Sequence, residues 1–193
     1  MISAVILAAG KSERMGRAKM GLLWGTTTVL GQVIRVLNSA GVSDILAVSG
    51  AARDAVQESC RLEGAREVFN ESFADGEMLS SIQAGLRALT PKTRAALIVL
   101  GDQPQIQAST VDRVLRAYED SGARLVAPSY NMRRGHPWLV DRALWEELLR
   151  LGPGETARGF LSRHGSAIRY VEIESPTVVE DLDTPDDYLN SRP

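Results

Sequence analysis

Residues 2–19, ISAVILAAGKSERMGRAK, decide the fold. The opening ISAVIL is a short apolar run rich in β-branched side chains and lacks the polar alternation of a half-wet strand. Such a run reads as a strand buried on both faces, the kind found inside parallel sheets. Its character changes at Gly10. From Gly10 to Lys19 there are two glycines, a serine and four cations (Lys11, Arg14, Arg17 and Lys19) against one acid, Glu13. Glycine lets backbone N–H groups approach an anion closely, and Lys or Arg neutralises phosphate charge, so a triphosphate is the natural ligand. The spacing is not that of a Walker A loop: five residues separate Gly10 from Gly16, and Arg17 follows. Nor is it the dinucleotide fingerprint G-x-G-x-x-G. The residues alone leave a solvated basic turn as the alternative.

Outward from this stretch the alternation repeats. Residues 28–39 carry Val29, Leu30, Val33, Ile34 and Leu37 at helical spacing, closed by Gly41. Strands are expected at 44–48, 66–69, 95–100 and 124–127, with helices at 52–62, 78–89 and 109–120, the last with Ser109 as its N-cap. Residues 128–137 read as a polar loop. Helices are expected near 141–150 and 155–163, then β-rich segments at 167–173 and 177–182. A terminal helix starts at Thr184, with Pro185 at its first position and Asp186 and Asp187 in its first turn. Strands alternating with helices predict one α/β domain over residues 1–193, a mostly parallel sheet with helices on both faces.

Composition narrows the function. The 193 residues carry 22 Lys+Arg against 24 Asp+Glu, a net charge of −2, which argues against binding a nucleic-acid polymer or an anionic membrane surface. A chain of this length buries about 70% of its unfolded surface without staples. One cysteine, Cys60, excludes an internal disulfide framework, and two histidines, His136 and His164, leave little for a His-based metal site. The start does not read as a secretory signal and no apolar stretch reaches membrane-spanning length, so a cytoplasmic protein is expected.

In an open parallel sheet, ligands bind beyond the carboxyl ends of the strands. Two loops lie there: residues 10–19, and Gly101-Asp102-Gln103-Pro104 after the apolar run 95–100. A carboxylate on the second loop, facing the first, can hold Mg²⁺ bridging nucleotide phosphates. Gly-Asp-x-Pro is equally ordinary turn chemistry. Residues 172–187 carry seven acids and no base. Asp186 and Asp187 are explained by a helix start, whereas Asp183 has no such local role.

The ordered pieces Leu7-Ala8-Ala9-Gly10-x-Ser12-x-Arg14-Met15-Gly16-x-x-Lys19, Gly76-Glu77-Met78-Leu79-Ser80-Ser81, Gly101-Asp102-Gln103-Pro104, Gly135-His136-Pro137 and Asp181-Leu182-Asp183-Thr184-Pro185 carry a resemblance. Running from residue 5 to residue 188, they are similar to the MobA-like NTP transferases, and most of all to that family's molybdenum cofactor cytidylyltransferases. The resemblance implies a Rossmann-like nucleotidyltransferase fold, Mg²⁺, and transfer of CMP from CTP to molybdopterin with release of pyrophosphate. A recipient molybdoenzyme is an implied partner. Position by position, Leu7, Ala8, Ala9, Gly10, Ser12, Arg14, Lys19 and Asp102 would surround the nucleotide, with Ser80 or Ser81 near it. Asp102 and Asp183 would be the Mg²⁺ ligands. Lys19, Arg14 and Asp102 would be the catalytic set, and Arg134, Gly135, His136 and Pro137 would bind the acceptor. Ala9-Gly10 and the Gly-His-Pro segment both belong to the cytidylyl side of the family.

His136 sits beside Arg133 and Arg134, a basic cluster suited to a second anion. Trp138 can stack on a pterin ring, or fill core as a strand residue; Trp24 and Trp145 read as packing, His164 as a surface residue and Cys60 as a small apolar side chain. Glu77, Leu79 and Trp24 depart from the family pattern and weaken the reading of base and sugar contacts. Other readings are transfer of another nucleotide, a non-pterin phosphate acceptor, and a non-catalytic cofactor carrier. The glycine spacing opposes a dehydrogenase.

Overall fold

The run at the head of the chain becomes β1 (Ile2–Ala8), whose side chains from Ser3 to Ile6 are excluded from solvent. In this computed structural model, residues 1–12, 15–16, 18–74 and 78–193 are described. A small hairpin of β2 (Leu23–Trp24) and β3 (Thr27–Thr28) leads into α1 (Val29–Ser39), where Thr28 Oγ1 accepts from the Gly31 N–H as N-cap. The alternation then continues through β4 (Asp44–Ser49), α2 (Arg53–Glu63), β5 (Arg66–Phe69), α3 (Met78–Ala88), β6 (Ala95–Leu100), α4 (Ala108–Ser121) and β7 (Leu125–Tyr130). α4 starts earlier than expected. Gln107 is its cap residue, without a side-chain bond, so Ser109 lies inside the first turn.

Beyond β7 the structure corrects the expectation twice. Residues 128–137 are not simply a loop: Asn131 and Met132 turn the chain at positive φ, and β8 (Arg133–Arg134) folds back on β7. The chain then inserts β9 (Trp138–Asp141) antiparallel between β6 and β7. Next come α5 (Trp145–Arg150), α6 (Ala157–Arg163) with Thr156 as N-cap, and β10 (Ile168–Glu172). The strand expected at 177–182 does not form. Pro176–Val178 makes a single tight helical turn, and the irregular chain around it is held by two long-range bonds. The His136 N–H donates to Val178 O at 2.9 Å, and the Leu182 N–H to Asp102 O at 3.1 Å. α7 (Pro185–Ser191) starts as expected, with a reciprocal capping box between Thr184 and Asp187.

The eight-stranded sheet runs β10-β7-β9-β6-β1-β4-β5, with β8 paired to β7; only β8 and β9 are antiparallel. Leaving β1, the chain moves outward through β4 and β5, then returns to the other side at β6. The topological switch point therefore lies between β1 and β6, where the carboxyl ends of both strands open a crevice. Two apolar cores cover the sheet. Ile6, Leu97 and Val99 pack with Leu30, Ile34, Val56 and Val114 of α1, α2 and α4. On the other face Val5, Leu46 and Ile98 pack with Ile82, Leu148 and Phe160 of α3, α5 and α6.

Trp24, Trp138 and Trp145 are all buried, as packing predicts, and so is Cys60, whose thiol is pushed up to about 11 by burial and then by Glu67. His164 is not a free surface residue. Its ring lies 4.7 Å from that of Phe160, and Nε2 is 2.9 Å from Glu147 Oε2. Among the described residues, no helix is long and apolar enough to cross a membrane.

Candidate active site

The loops after β1 and β6 meet because the Gly101 N–H donates to Leu7 O at 3.0 Å, which draws the second loop onto the end of the first strand. Ser12 then reverses the first loop. It adopts φ +54°, its carbonyl accepts from the Met15 N–H at 3.0 Å, and its hydroxyl accepts from the Lys19 N–H at 3.2 Å. The reversal aims Lys19 back into the crevice. Its ammonium donates to Asp102 Oδ2 at 2.8 Å and to Asp183 Oδ1 at 3.3 Å. The acidic tail is held in place from two sides. Leu182 N–H bonds to the Asp102 carbonyl, and Gln103 Nε2 donates to Asp181 Oδ1 at 2.7 Å.

Two carboxylates thus grip one lysine, and a third, Asp181, feels the charge of all three. The Asp181 carboxyl is raised above its usual range, by desolvation first and then by Asp102, with the Gln103 bond opposing and Asp183 adding to the rise. An acid held up by neighbouring acids marks a site with surplus negative charge, which a divalent cation relieves. The donor set fits Mg²⁺. Two oxygens, from Asp102 and Asp183, already converge on a cation, the Lys19 ammonium. Mg²⁺ is commonly held by one or two carboxylates plus substrate phosphates rather than by an all-protein cage. Among the described residues no three acidic, His or Cys side chains converge, so phosphate oxygens and water would complete the shell.

A cavity of about 230 Å³ opens beside this cluster, lined by Leu7, Ala9, Gly10, Met20, Phe73, Met78, Ser81, Leu100 and Asp102. A second, of about 470 Å³, adjoins it at Met78 and is lined by Arg133, Arg134, Gly135, His136, Trp138 and three residues of α6. Ser80 and Ser81 part company. Ser81 lines the first cavity, whereas Ser80 lines an outer groove between β5 and α3. Asn70 Nδ2 ties the two together, donating to Ser80 Oγ at 2.9 Å and Ser81 Oγ at 3.1 Å.

Of the other expected site residues, Ala8 points into the α1 core and offers only backbone to the crevice. Pro137 is buried behind His136 and does not line the second cavity. Arg14, and with it Glu13, Arg17, Gly76 and Glu77, lies outside the described residues. Phe73 and Met20 in the first cavity and Arg158 in the second were missed because no local motif marks them; Met78 lay inside one of the resemblance motifs but was given no role. One missed residue did leave a mark in the sequence, the glycine ending β4. A Cβ on Gly50 would lie 2.5 Å from Ala9 O and 2.8 Å from Phe73 Cβ, so only glycine lets the β4 loop support the loop after β1. Gly50→Ala should cost about 1–3 kcal/mol of stability and weaken nucleotide binding by displacing Ala9. Urea unfolding and a nucleotide titration on the variant check both, and wild-type values in the two would refute the close-support account.

Gly135 has a similar reason: a Cβ there would meet Val178 O at 2.2 Å. That close approach seats His136 with its Nε2 buried and without a hydrogen bond among the described residues. Burial, and then Arg134, pushes its pKa from 6.5 down to about 4. The expected basic cluster is therefore carried by the arginines alone, because at neutral pH the imidazole is uncharged. The lowered value also has a stability consequence. The unfolded chain takes up a proton near pH 6.5 and the folded chain only near pH 4, so stability is complete above pH 6.5 and falls between those values. The loss should be on the order of 2–3 kcal/mol, and His136→Gln should flatten it. Urea unfolding of both proteins at pH 7 and pH 4.5 measures this, and parallel losses would remove His136 as the cause.

With this geometry in view, comparison with known proteins is informative. Residues 4–168 match the model of the MobA-like NTP transferase domain. The chain is 30% identical to the molybdenum cofactor cytidylyltransferase of Escherichia coli (strain K12), over 99% of this chain and 95% of that protein. It is also 30% identical to the nicotine blue oxidoreductase of Paenarthrobacter nicotinovorans, over 95% of this chain and 92% of that one. A Mycobacterium tuberculosis H37Rv protein solved in complex with manganese superposes with a TM-score of 0.79 at 28% identity, covering 98% of this chain and 96% of its own.

Proposed function

The chain belongs to the MobA-like NTP transferase family, and from that premise we propose that it transfers CMP from CTP to the terminal phosphate of molybdopterin, releasing pyrophosphate. The observation that carries this reading is the convergence of Lys19, Asp102 and Asp183 beside the Gly10 cavity at the switch point of the sheet. Alignment along nearly the whole of the Escherichia coli cytidylyltransferase and the Ala9-Gly10 pair support CTP as the donor. Two adjoining cavities that share Met78 suit a reaction with two substrates.

The chemistry follows from positioning and charge. The acceptor phosphate is already ionised at pH 7, so no general base is needed. One of its oxygens bonds to the α-phosphorus of CTP while the bond to the bridging oxygen of the β-phosphate breaks, and pyrophosphate leaves with that electron pair. Lys19 offsets the charge that builds on the leaving group, and the Gly10 backbone approaches the phosphates without a side chain in the way. Ser81, in the first turn of α3, lines the cavity and would contact the nucleoside. Asp102 and Asp183 would hold a divalent cation, which when bound neutralises phosphate charge and polarises the phosphoryl group; Mg²⁺ is the ion proposed, and the Mycobacterium relative holds manganese.

Pyrophosphate release measured with CTP, Mg²⁺ and molybdopterin tests the reading, alongside thermal shifts with CTP, GTP and ATP. Preference for GTP would overturn the cytidylyl assignment, and transfer only to a sugar or isoprenoid phosphate would overturn the acceptor. Molybdopterin binding without pyrophosphate release would make the chain a carrier, a role that retention of Lys19, Asp102 and Asp183 opposes. Oxidation or reduction of nicotine blue without pyrophosphate release would place it instead beside the Paenarthrobacter relative.

A further inference from the structure

The second cavity carries more charge than the Arg133–Arg134 pair that the sequence shows. Arg133 and Arg134 reach it from β8, and Arg158, the second residue of α6, reaches it from that helix. Other arginines of this chain are committed to carboxylates: Arg53 to Glu67, Arg66 to Asp44 and Arg94 to Glu119, at 2.7 to 3.1 Å. The guanidinium groups of the three cavity arginines make no ion pair or hydrogen bond with any described residue, and no described acid lines the cavity. Three unneutralised guanidinium groups around one concave space repel one another, a cost that a bound anion removes.

The rest of the cavity says what else the ligand carries. Trp138, Ala157, Leu161 and Met78 supply an apolar wall. The occupant is then an anion attached to a group with an apolar face, which the heterocycle of the proposed acceptor provides. There is also a reason for the cations to stand on this side. Two phosphate groups that must approach each other repel, and Lys19 serves only the nucleotide side.

Resting on the transfer reading above, we infer that Arg158 binds the phosphate of the acceptor and, with Arg134, makes the site select a phosphorylated heterocycle over its unphosphorylated form. Arg158 projects from a helix whose N-cap, Thr156, and whose buried Ala157, Phe160 and Leu161 fix its course independently of the arginine. Its replacement therefore leaves α6 in place.

Calorimetric titration without nucleotide, using molybdopterin and its phosphatase-treated form as probes, reads the inference directly. Arg158→Gln should weaken binding of the phosphorylated probe about tenfold or more, change the dephosphorylated probe less than about twofold, and leave the thermal shift with CTP and Mg²⁺ unaltered. Arg158→Lys should restore part of the loss, because it keeps the charge without the bidentate fork. An equal loss on both probes, or no loss on either, overturns the inference. Pyrophosphate release by the wild-type protein is followed in parallel. If it occurs while Arg158→Gln binds both probes normally, the Arg158 assignment alone falls. If it is absent while phosphate selectivity depends on Arg158, the anion site stands and the transfer reading falls.

Discussion

Lys19→Ala should lower turnover by about two to three orders of magnitude, the usual cost of removing one preorganised charge-stabilising donor. The variant should also be less stable than wild type in the absence of a divalent cation. Lys19 is withdrawn from solvent, with 11% of its side chain exposed, and is the counter-charge for both Asp102 and Asp183. Without it those two carboxylates and Asp181 face one another unneutralised. The pairs are partly open to water, so the expected cost is about 1–2 kcal/mol, below the 3–5 kcal/mol of a fully buried pair broken on one side. Addition of millimolar Mg²⁺ should recover much of that stability without recovering turnover, because a metal replaces the charge between the carboxylates but not the one aimed at the leaving group. Thermal unfolding with and without Mg²⁺, together with a pyrophosphate-release assay, reads both parts. Wild-type turnover, or stability indifferent to Mg²⁺, would remove Lys19 from this role.

Asp102→Asn separates fold from chemistry more cleanly. The residue's contribution to the fold is its backbone carbonyl, which accepts from the Leu182 N–H at 3.1 Å and so docks the acidic tail. Asparagine keeps that carbonyl, the side-chain shape and an oxygen that can accept from Lys19. What it loses is a full negative charge at the proposed metal position. Stability should therefore change by less than about 1 kcal/mol, while turnover falls by about two to three orders of magnitude and the Mg²⁺ concentration for half-maximal activity rises. A variant with unaltered Mg²⁺ dependence would take Asp102 out of the metal site. One that fails to fold would show that the carboxylate, and not the carbonyl, docks the tail.

These two residues also show how legibility in the sequence is distributed. The strand 2–7, the helix on Val29, Leu30, Val33, Ile34 and Leu37, and the capping box at Thr184 are local: period, β-branching and cap chemistry all lie within a dozen residues. The expectations built on them agree with β1, α1 and α7. β9 was legible only at Trp138, read as a core-filling strand residue, because four residues carry too short a pattern and its pairing partners in β6 lie some forty residues upstream. The apolar residues at 177–182 look like a strand. Val178 and Leu182 are indeed buried, but their backbones bond to His136 and Asp102 rather than to a ladder, and Leu182 packs with Trp24, Val29 and Tyr188. Ser80 and Ser81 are neighbours in sequence, yet a helix turns each residue by about 100° from the next, so only the packing of α3 determines which one faces the cavity. The neutral state of His136 depends on the close approach of residues 176–178 to Gly135, which no nearby residue encodes.

The sequence by itself determined the elements, their α/β alternation and the chemistry of the stretch that begins at Gly10: glycines and cations after a buried strand, with unexplained acids at 102 and 183. Tertiary structure alone decided that these meet. Lys19 is 83 residues from Asp102 and 164 from Asp183. They share one crevice because β6 returns to pair beside β1, which sets the two loops side by side, and because the Leu182 N–H then fastens the tail to the second loop. The same long-range register carries Arg158 of α6 to the arginines of β8. Local forces act over a few residues and write themselves into the sequence as patterns. Which loops face one another is settled by strand order and by the burial of two opposite faces, which belong to the chain as a whole.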